Sequence, residues 1–164
     1  MRDKISISRV QALHPDIRQD VKSFITEAEE SLNVTLRIVQ GLRTIDEQNA
    51  LYAQGRTTPG QKVTNAKGGS SYHNYGLAID LVEVKDLKAN WNFDYKKLLP
   101  WSEKYGFTWG GNFKSIVDKP HFEKTFGNHW KELLAKHNAG KFITGTKYVL
   151  LDPVITHPQQ NPTP

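Results

Sequence analysis

Cysteine is absent from this 164-residue chain, which excludes disulfides and thiolate metal sites. Any zinc would therefore be held by histidine and carboxylate. The absence is compatible with any redox compartment. No apolar run approaches the length of a membrane span, and Met1-Arg2-Asp3-Lys4-Ile5-Ser6 lacks the apolar core of a secretory signal. A dense Lys/Arg run is missing, as is any helix-turn-helix or RNA-recognition signature, so nucleic acid is not an expected partner. Acidic residues number 17 against 22 basic ones, a net charge of +5. The isoelectric point is about 9.3. Such a surface attracts anionic polymers, whether nucleic acid, anionic lipid or teichoic-acid-bearing wall. Charge alone does not choose among them.

What is present is enough for one packed domain. Hydrophobic residues make up 37% of the chain, with seven Phe, six Tyr and four Trp, a globular rather than a disordered composition. Ile17, Val21, Phe24, Ile25, Ala28 and Leu32 recur at helical spacing over 16–32, after Pro15. Residues 34–39 alternate and are rich in branched side chains, which predicts a strand. Thr44 and Glu47 form a Thr-x-x-Glu capping box for a helix ending near Gly55. Arg43 thus falls between a strand end and a helix start. Residues 55–72 read as a long loop, a length that is often functional.

The chain is organised around Ser70-Ser71-Tyr72-His73-Asn74-Tyr75-Gly76-Leu77-Ala78-Ile79-Asp80-Leu81-Val82. From Leu77 it alternates like a strand and sets Asp80 beside Ala78 and Val82. A buried carboxylate in apolar company needs a cation or strong donors. His73 precedes it in a Ser/Gly-rich loop, and Asp118-Lys119-Pro120-His121-Phe122-Glu123 supplies a second histidine with a carboxylate three residues before it. Two histidines and one aspartate leave the fourth position of a tetrahedral zinc open, as in a catalytic site. From spacing alone a metal-free alternative also stands, with Asp80 salt-bridged to Arg43. His14, His129, His137 and His157 have no neighbours that demand a metal.

Further along, Asp94 caps a helix that Pro100 kinks or splits. Short strands are expected over 107–109 and 121–123. Asn128 is the expected cap of a helix ending near Gly140. Residues 141–151 suggest a packed C-terminal strand, with an edge strand or a wall contact as the other readings. The stretch from Asp152 holds four of the eight prolines and no core pattern, so a disordered tail is expected over 152–164 after a domain over 1–151.

The run Ser71-x-His73-x-x-Gly76-x-Ala78-x-Asp80, followed by Asp118-x-Pro120-His121, resembles the zinc peptidases of the D-Ala-D-Ala carboxypeptidase and L-alanyl-D-glutamate endopeptidase family. Gln40-Gly41-x-Arg43-Thr44, Tyr52-Ala53-Gln54-Gly55-Arg56-Thr57, Val63-Thr64-Asn65-Ala66 and Trp109-Gly110-Gly111 extend the resemblance, in order, over about residues 10–127. The nearest likeness is to the L-alanyl-D-glutamate endopeptidases of bacterial autolysins and phage endolysins.

The resemblance implies an α+β domain, with a mainly antiparallel sheet carrying the site and helices packed to one side. It implies zinc held by His73, Asp80 and His121, with Asp118 as general base and Arg43 stabilising developing negative charge. Asp118 must then reach the site from the turn that Pro120 shapes. Ser71 takes a hydrogen-bonding role. Glu123, on the His121 face, orients a ligand or serves as the base in place of Asp118.

The expected reaction is cleavage of the L-Ala–D-Glu bond in peptidoglycan stem peptides. Alternatives are D-Ala-D-Ala carboxypeptidase or dipeptidase action, a non-catalytic hedgehog-like zinc domain, and, less well supported, a nuclease built on His73-Asn74. Anionic wall polymers are expected partners, and the protein is expected to be a monomer acting on the cell wall. The missing signal fits a phage endolysin released by another factor, or an autolysin whose leader has been removed.

Overall fold

The strand expected around Asp80 lies in the interior of the sheet. The computed structural model describes residues 1–153. Its strands are β1 (Thr35–Gln40), β2 (Ala78–Lys85), β3 (Lys88–Asn90), β4 (Thr108–Trp109) and β5 (His121–Glu123). The sheet runs β1-β2-β5-β4, every pairing antiparallel, and β3 pairs with the far end of β2. With helices α1 (Lys4–Gln11), α2 (Arg18–Leu32), α3 (Ile45–Ala53), α4 (Leu99–Lys104) and α5 (Trp130–Asn138), this is an α+β fold.

α2 supplies the main apolar face, with Val21, Phe24, Ile25 and Ala28 fully buried. The Phe24 ring meets Phe107 at 5.4 Å and Phe122 at 5.2 Å. Each such buried ring contributes roughly 1.5–3 kcal/mol through the hydrophobic effect. Leu36 and Ile38 of β1 and Leu77, Ile79 and Leu81 in and beside β2 complete this layer.

The outward edge of β1 is closed by side chains. Glu29, itself buried, accepts the Leu36 N–H at 2.9 Å, and Ser6 Oγ accepts the Ile38 N–H at 2.8 Å. Arg9 donates to the Ile38 carbonyl. Two of these residues belong to α1, a helix that periodicity did not disclose because its sequence, KISISRVQ, is short and mixed. Asp3 caps it by accepting from Ser6, and also holds Arg37 at 2.9 Å.

Several local expectations need correction. The helix expected over 16–32 begins as a 3-10 turn at Pro15–Ile17 before α2. A 3-10 turn, Tyr95–Leu98, precedes α4, and Pro100 sits in the first turn of α4; two short helices were one of the two outcomes anticipated. α5 is capped by His129, which accepts from the Lys131 N–H, and not by Asn128. Asn128 is buried and ties Thr125 to Asp152. Residues 141–151 form no strand; one bridge, Phe142 to Val149, is all the pairing they make. Of the expected tail, Asp152 is bonded to Asn128 and Lys136, and residues 154–164 lie outside the described residues.

Candidate metal centre

Strand register brings Asp80 and His121 together. They are directly paired across β2 and β5, where side chains on one face of neighbouring strands come into contact. His73 arrives from a 3-10 turn, Tyr72–Tyr75, and is buried. Ser71 caps that turn, its Oγ accepting the His73 N–H. Gly76 ends the turn with φ +69°, and a Cβ there would lie 2.5 Å from the backbone nitrogen of His14. Only glycine tolerates that conformation together with that approach.

Both rings are fixed by their outer nitrogens. His73 Nδ1 lies 2.8 Å from the Gly41 carbonyl, which can only accept, so Nδ1 carries the hydrogen and Nε2 keeps its lone pair. His121 Nε2 lies 2.8 Å from Glu123 Oε1, a carboxylate that accepts the Nε2 hydrogen and turns Nδ1 toward Asp80. The inner nitrogens, His73 Nε2 and His121 Nδ1, converge on one oxygen, Asp80 Oδ1, at 3.3 Å and 3.2 Å. With both rings neutral, three lone-pair atoms face one another, and either a proton on His121 Nδ1 or a metal ion must lie among them.

That requirement tests the fit of a metal. Zinc bonds of about 2.0 Å in a tetrahedron imply ligand atoms about 3.3 Å apart, and both observed separations match. All three ligand atoms lie within 4.8 Å of one another. His73, Asp80 and His121 can hold a metal ion, with the carbonyl and carboxylate behind the histidines in the positions usual for supporting groups. The carboxylates draw positive charge to this point, whether a proton or a metal ion. Burial pushes the Asp80 carboxyl up, but His121 and His73 outweigh it and hold the group well below the usual carboxylate range. Burial pushes His121 down, but Asp80 and Glu123 raise it to about 9.

Asp118 stands in the turn before β5, half-exposed, with Oδ2 3.9 Å from His121 Nδ1. Burial and the Asp80 charge raise its pKa against the pull of His121, His73 and Arg43. Its backbone is pinned, because the Gly110 carbonyl accepts the N–H of both Phe113 and Asp118. A Cβ on Gly110 would run into the Asp118 carbonyl oxygen.

Arg43 makes no salt bridge to Asp80, whose partners are His73 and His121. Its Nη1 donates to Gln48 Oε1 at 3.0 Å, its backbone N–H donates to the His73 carbonyl, and its Nε is buried with no hydrogen-bond partner among the described residues. Gln48 was missed in the sequence. It is fully buried and links three segments: Arg43, the Ala66 carbonyl at 2.9 Å and, at 3.5 Å, Asn74. Asn74 in turn donates to the Arg43 carbonyl and accepts from Gly69 and Ser71. A glutamine inside a helix carries no local signal of such a role.

A family model described as D-alanyl-D-alanine carboxypeptidase matches residues 64–124, the stretch that carries all three converging ligands. The peptidoglycan L-alanyl-D-glutamate endopeptidase CwlK of Bacillus subtilis (strain 168) is 38% identical over 122 residues, 68% of this chain and 72% of that protein. The chain belongs to this peptidase family. Within the family it is also similar to the L-alanyl-D-glutamate peptidase of Listeria phage A118, 26% identical over 111 residues, which are 65% of this chain and 36% of the phage protein. The Serratia marcescens L-Ala D-Glu endopeptidase ChiX shares the fold, with a TM-score of 0.55 at 22% identity over 75% of this chain and 88% of that one.

Proposed function

We propose that the protein is a zinc-dependent peptidoglycan hydrolase that cleaves the L-Ala–D-Glu bond of the stem peptide. The convergence of His73 Nε2, His121 Nδ1 and Asp80 Oδ1 on one point carries the reading. The kinship to CwlK supports the choice of bond. Residues 1–151 act as one peptidase domain, a monomer at the cell wall, and the net charge of +5 draws it to anionic wall polymers.

Zinc, when bound, polarises the scissile carbonyl and makes a water molecule acidic near neutral pH. The remaining work belongs to the chain. Asp118 accepts the proton of the attacking water and returns it to the leaving amine. Arg43 sets a fixed cation beside the oxygen on which negative charge develops. Glu123 and the Gly41 carbonyl keep the two histidines in the tautomers that ligation needs. Ser71 holds the turn that presents His73.

Digestion of purified peptidoglycan by the wild type and by Asp118→Ala, with new termini identified by mass spectrometry, tests this. New L-Ala carboxyl and D-Glu amino ends are expected, absent with the variant and with chelator. Release of terminal D-Ala would replace the reading with a carboxypeptidase. No product from zinc-loaded protein would replace it with a binding domain.

A further inference from the structure

A cavity of about 770 Å³ opens between the first turn of α3, the last turns of α5 and residues 147–149, and none of the residues proposed for catalysis lines it. Its volume falls in the range of small-molecule sites, roughly 300–1,000 Å³. One wall is shared with the metal centre. Leu42 and Thr44 line the cavity, while Arg43 between them binds Gln48 and acts electrostatically on Asp118. Asn74 also lines it, directly after His73, and its amide donates to the Arg43 carbonyl.

The far wall is built rather than loose. Tyr148 donates its hydroxyl to the Ala12 carbonyl at 2.8 Å, and its own carbonyl accepts the Ile143 N–H. The neighbouring Val149 carbonyl accepts from the buried His14 ring at 2.8 Å. These bonds tie the far wall back to the α1–α2 junction.

The chemistry of the lining selects the occupant. Its formal charges are one of each sign, Asp46 and Lys147, so the wall offers no net attraction to an ion. Ile45, Leu134 and Tyr148 supply apolar surface, and the exposed Asn138 supplies an amide for hydrogen bonding. A stem peptide, rich in carboxylates, does not match. An uncharged ring with an apolar face, hydroxyls and an acetamido group does.

We infer that this cavity is a second binding site, taking an N-acetylated amino sugar of the glycan strand that bears the stem peptide. The inference rests on the peptidoglycan reading above. It gives the enzyme two adjoining sites, one for the sugar and one for the bond to be cut.

The probe is N,N′-diacetylchitobiose, titrated into the protein and followed by amide chemical shifts, which needs no activity. Shifts are expected at Ile45, Asn138 and Lys147, and are lost in Asn138→Trp and in Lys147→Trp, two exposed positions on different walls. The second readout is the ratio of kcat/KM for a glycan-bearing muropeptide over the bare stem peptide. A ratio of about tenfold is expected, equivalent to about 1.4 kcal/mol, falling toward one in both variants. Absent shifts, shifts confined to the metal centre, or a ratio that neither variant changes would overturn the site. If neither substrate is cut by zinc-loaded protein while the sugar still shifts Ile45 and Lys147, the catalytic reading fails and the sugar site stands.

Discussion

Glu123 accepts the Nε2 hydrogen of His121 at 2.8 Å, and this one bond decides which nitrogen of His121 faces Asp80. Asp80 and Glu123 lie on opposite sides of the same ring, so the imidazole is held by a carboxylate at each nitrogen.

Glu123→Ala should therefore loosen the metal without removing a ligand. Metal affinity is expected to fall by about 10–100-fold, the usual effect of losing such a supporting group. Glu123→Gln, whose amide oxygen still accepts, should recover most of it. Competitive titration against a chelating dye measures both variants.

Replacing Gln48 by Leu leaves the Arg43 guanidinium and the Ala66 carbonyl without their partner. A loss of about 1–3 kcal/mol in stability is expected from the unsatisfied groups. The rate should fall while zinc content stays at one ion per chain. Denaturant unfolding and metal analysis separate these effects, and loss of the metal in this variant would show that Gln48 acts on His73 instead of Arg43.

Gly110→Ala pushes on the Asp118 carbonyl and lies 2.9 Å from the His121 Cβ. A shift of the base by about 1 Å is expected to lower kcat by roughly 100-fold. Steady-state kinetics on a soluble stem peptide, beside the melting temperature, checks that the loss is catalytic.

His14 gives a pH dependence of stability away from the metal. Burial lowers its pKa below that of a free histidine, against the bond to Val149. The neutral ring is fully used: Nε2–H goes to the Val149 carbonyl and Nδ1 accepts the Asp16 N–H at 3.1 Å. The unfolded chain therefore takes up this proton first. The stability that His14 contributes is complete above about pH 6.5 and is lost as pH falls toward the folded value, by up to about 1.4 kcal/mol per pH unit. Urea unfolding from pH 7.5 to 5 should show a steeper decline in the wild type than in His14→Gln.

The sheet and the grouping of His73, Asp80 and His121 were legible in the sequence because each rests on a short local pattern. Alternation over 77–82 identified β2 and placed Asp80 on its face, and the Pro120 turn fixed how Asp118 enters. The resemblance extended that reading to Arg43 and Ser71. What stayed hidden depends on contacts far apart in the chain. Gln48 meets Ala66, 18 residues on, and His14 meets Val149, 135 residues on. α1 escaped because its role is to cap a strand edge, and capping needs polar residues that blur a helical stripe. Residues 141–151 looked like a strand because branched and aromatic residues favour one; here they pack instead beneath α5 and beside His14, held by turns.

The side-chain bonds along β1 have a consequence for the protein at high concentration. An edge strand with free N–H groups invites a strand from another molecule and can seed fibrils or swapped dimers. Here the donors at Leu36 and Ile38 are already satisfied within the chain by Glu29 and Ser6, and β4, at the other end of the sheet, is only two residues long. The fold thereby discourages edge-to-edge self-association through β1 and β4, which suits a hydrolase that acts within a polymer mesh.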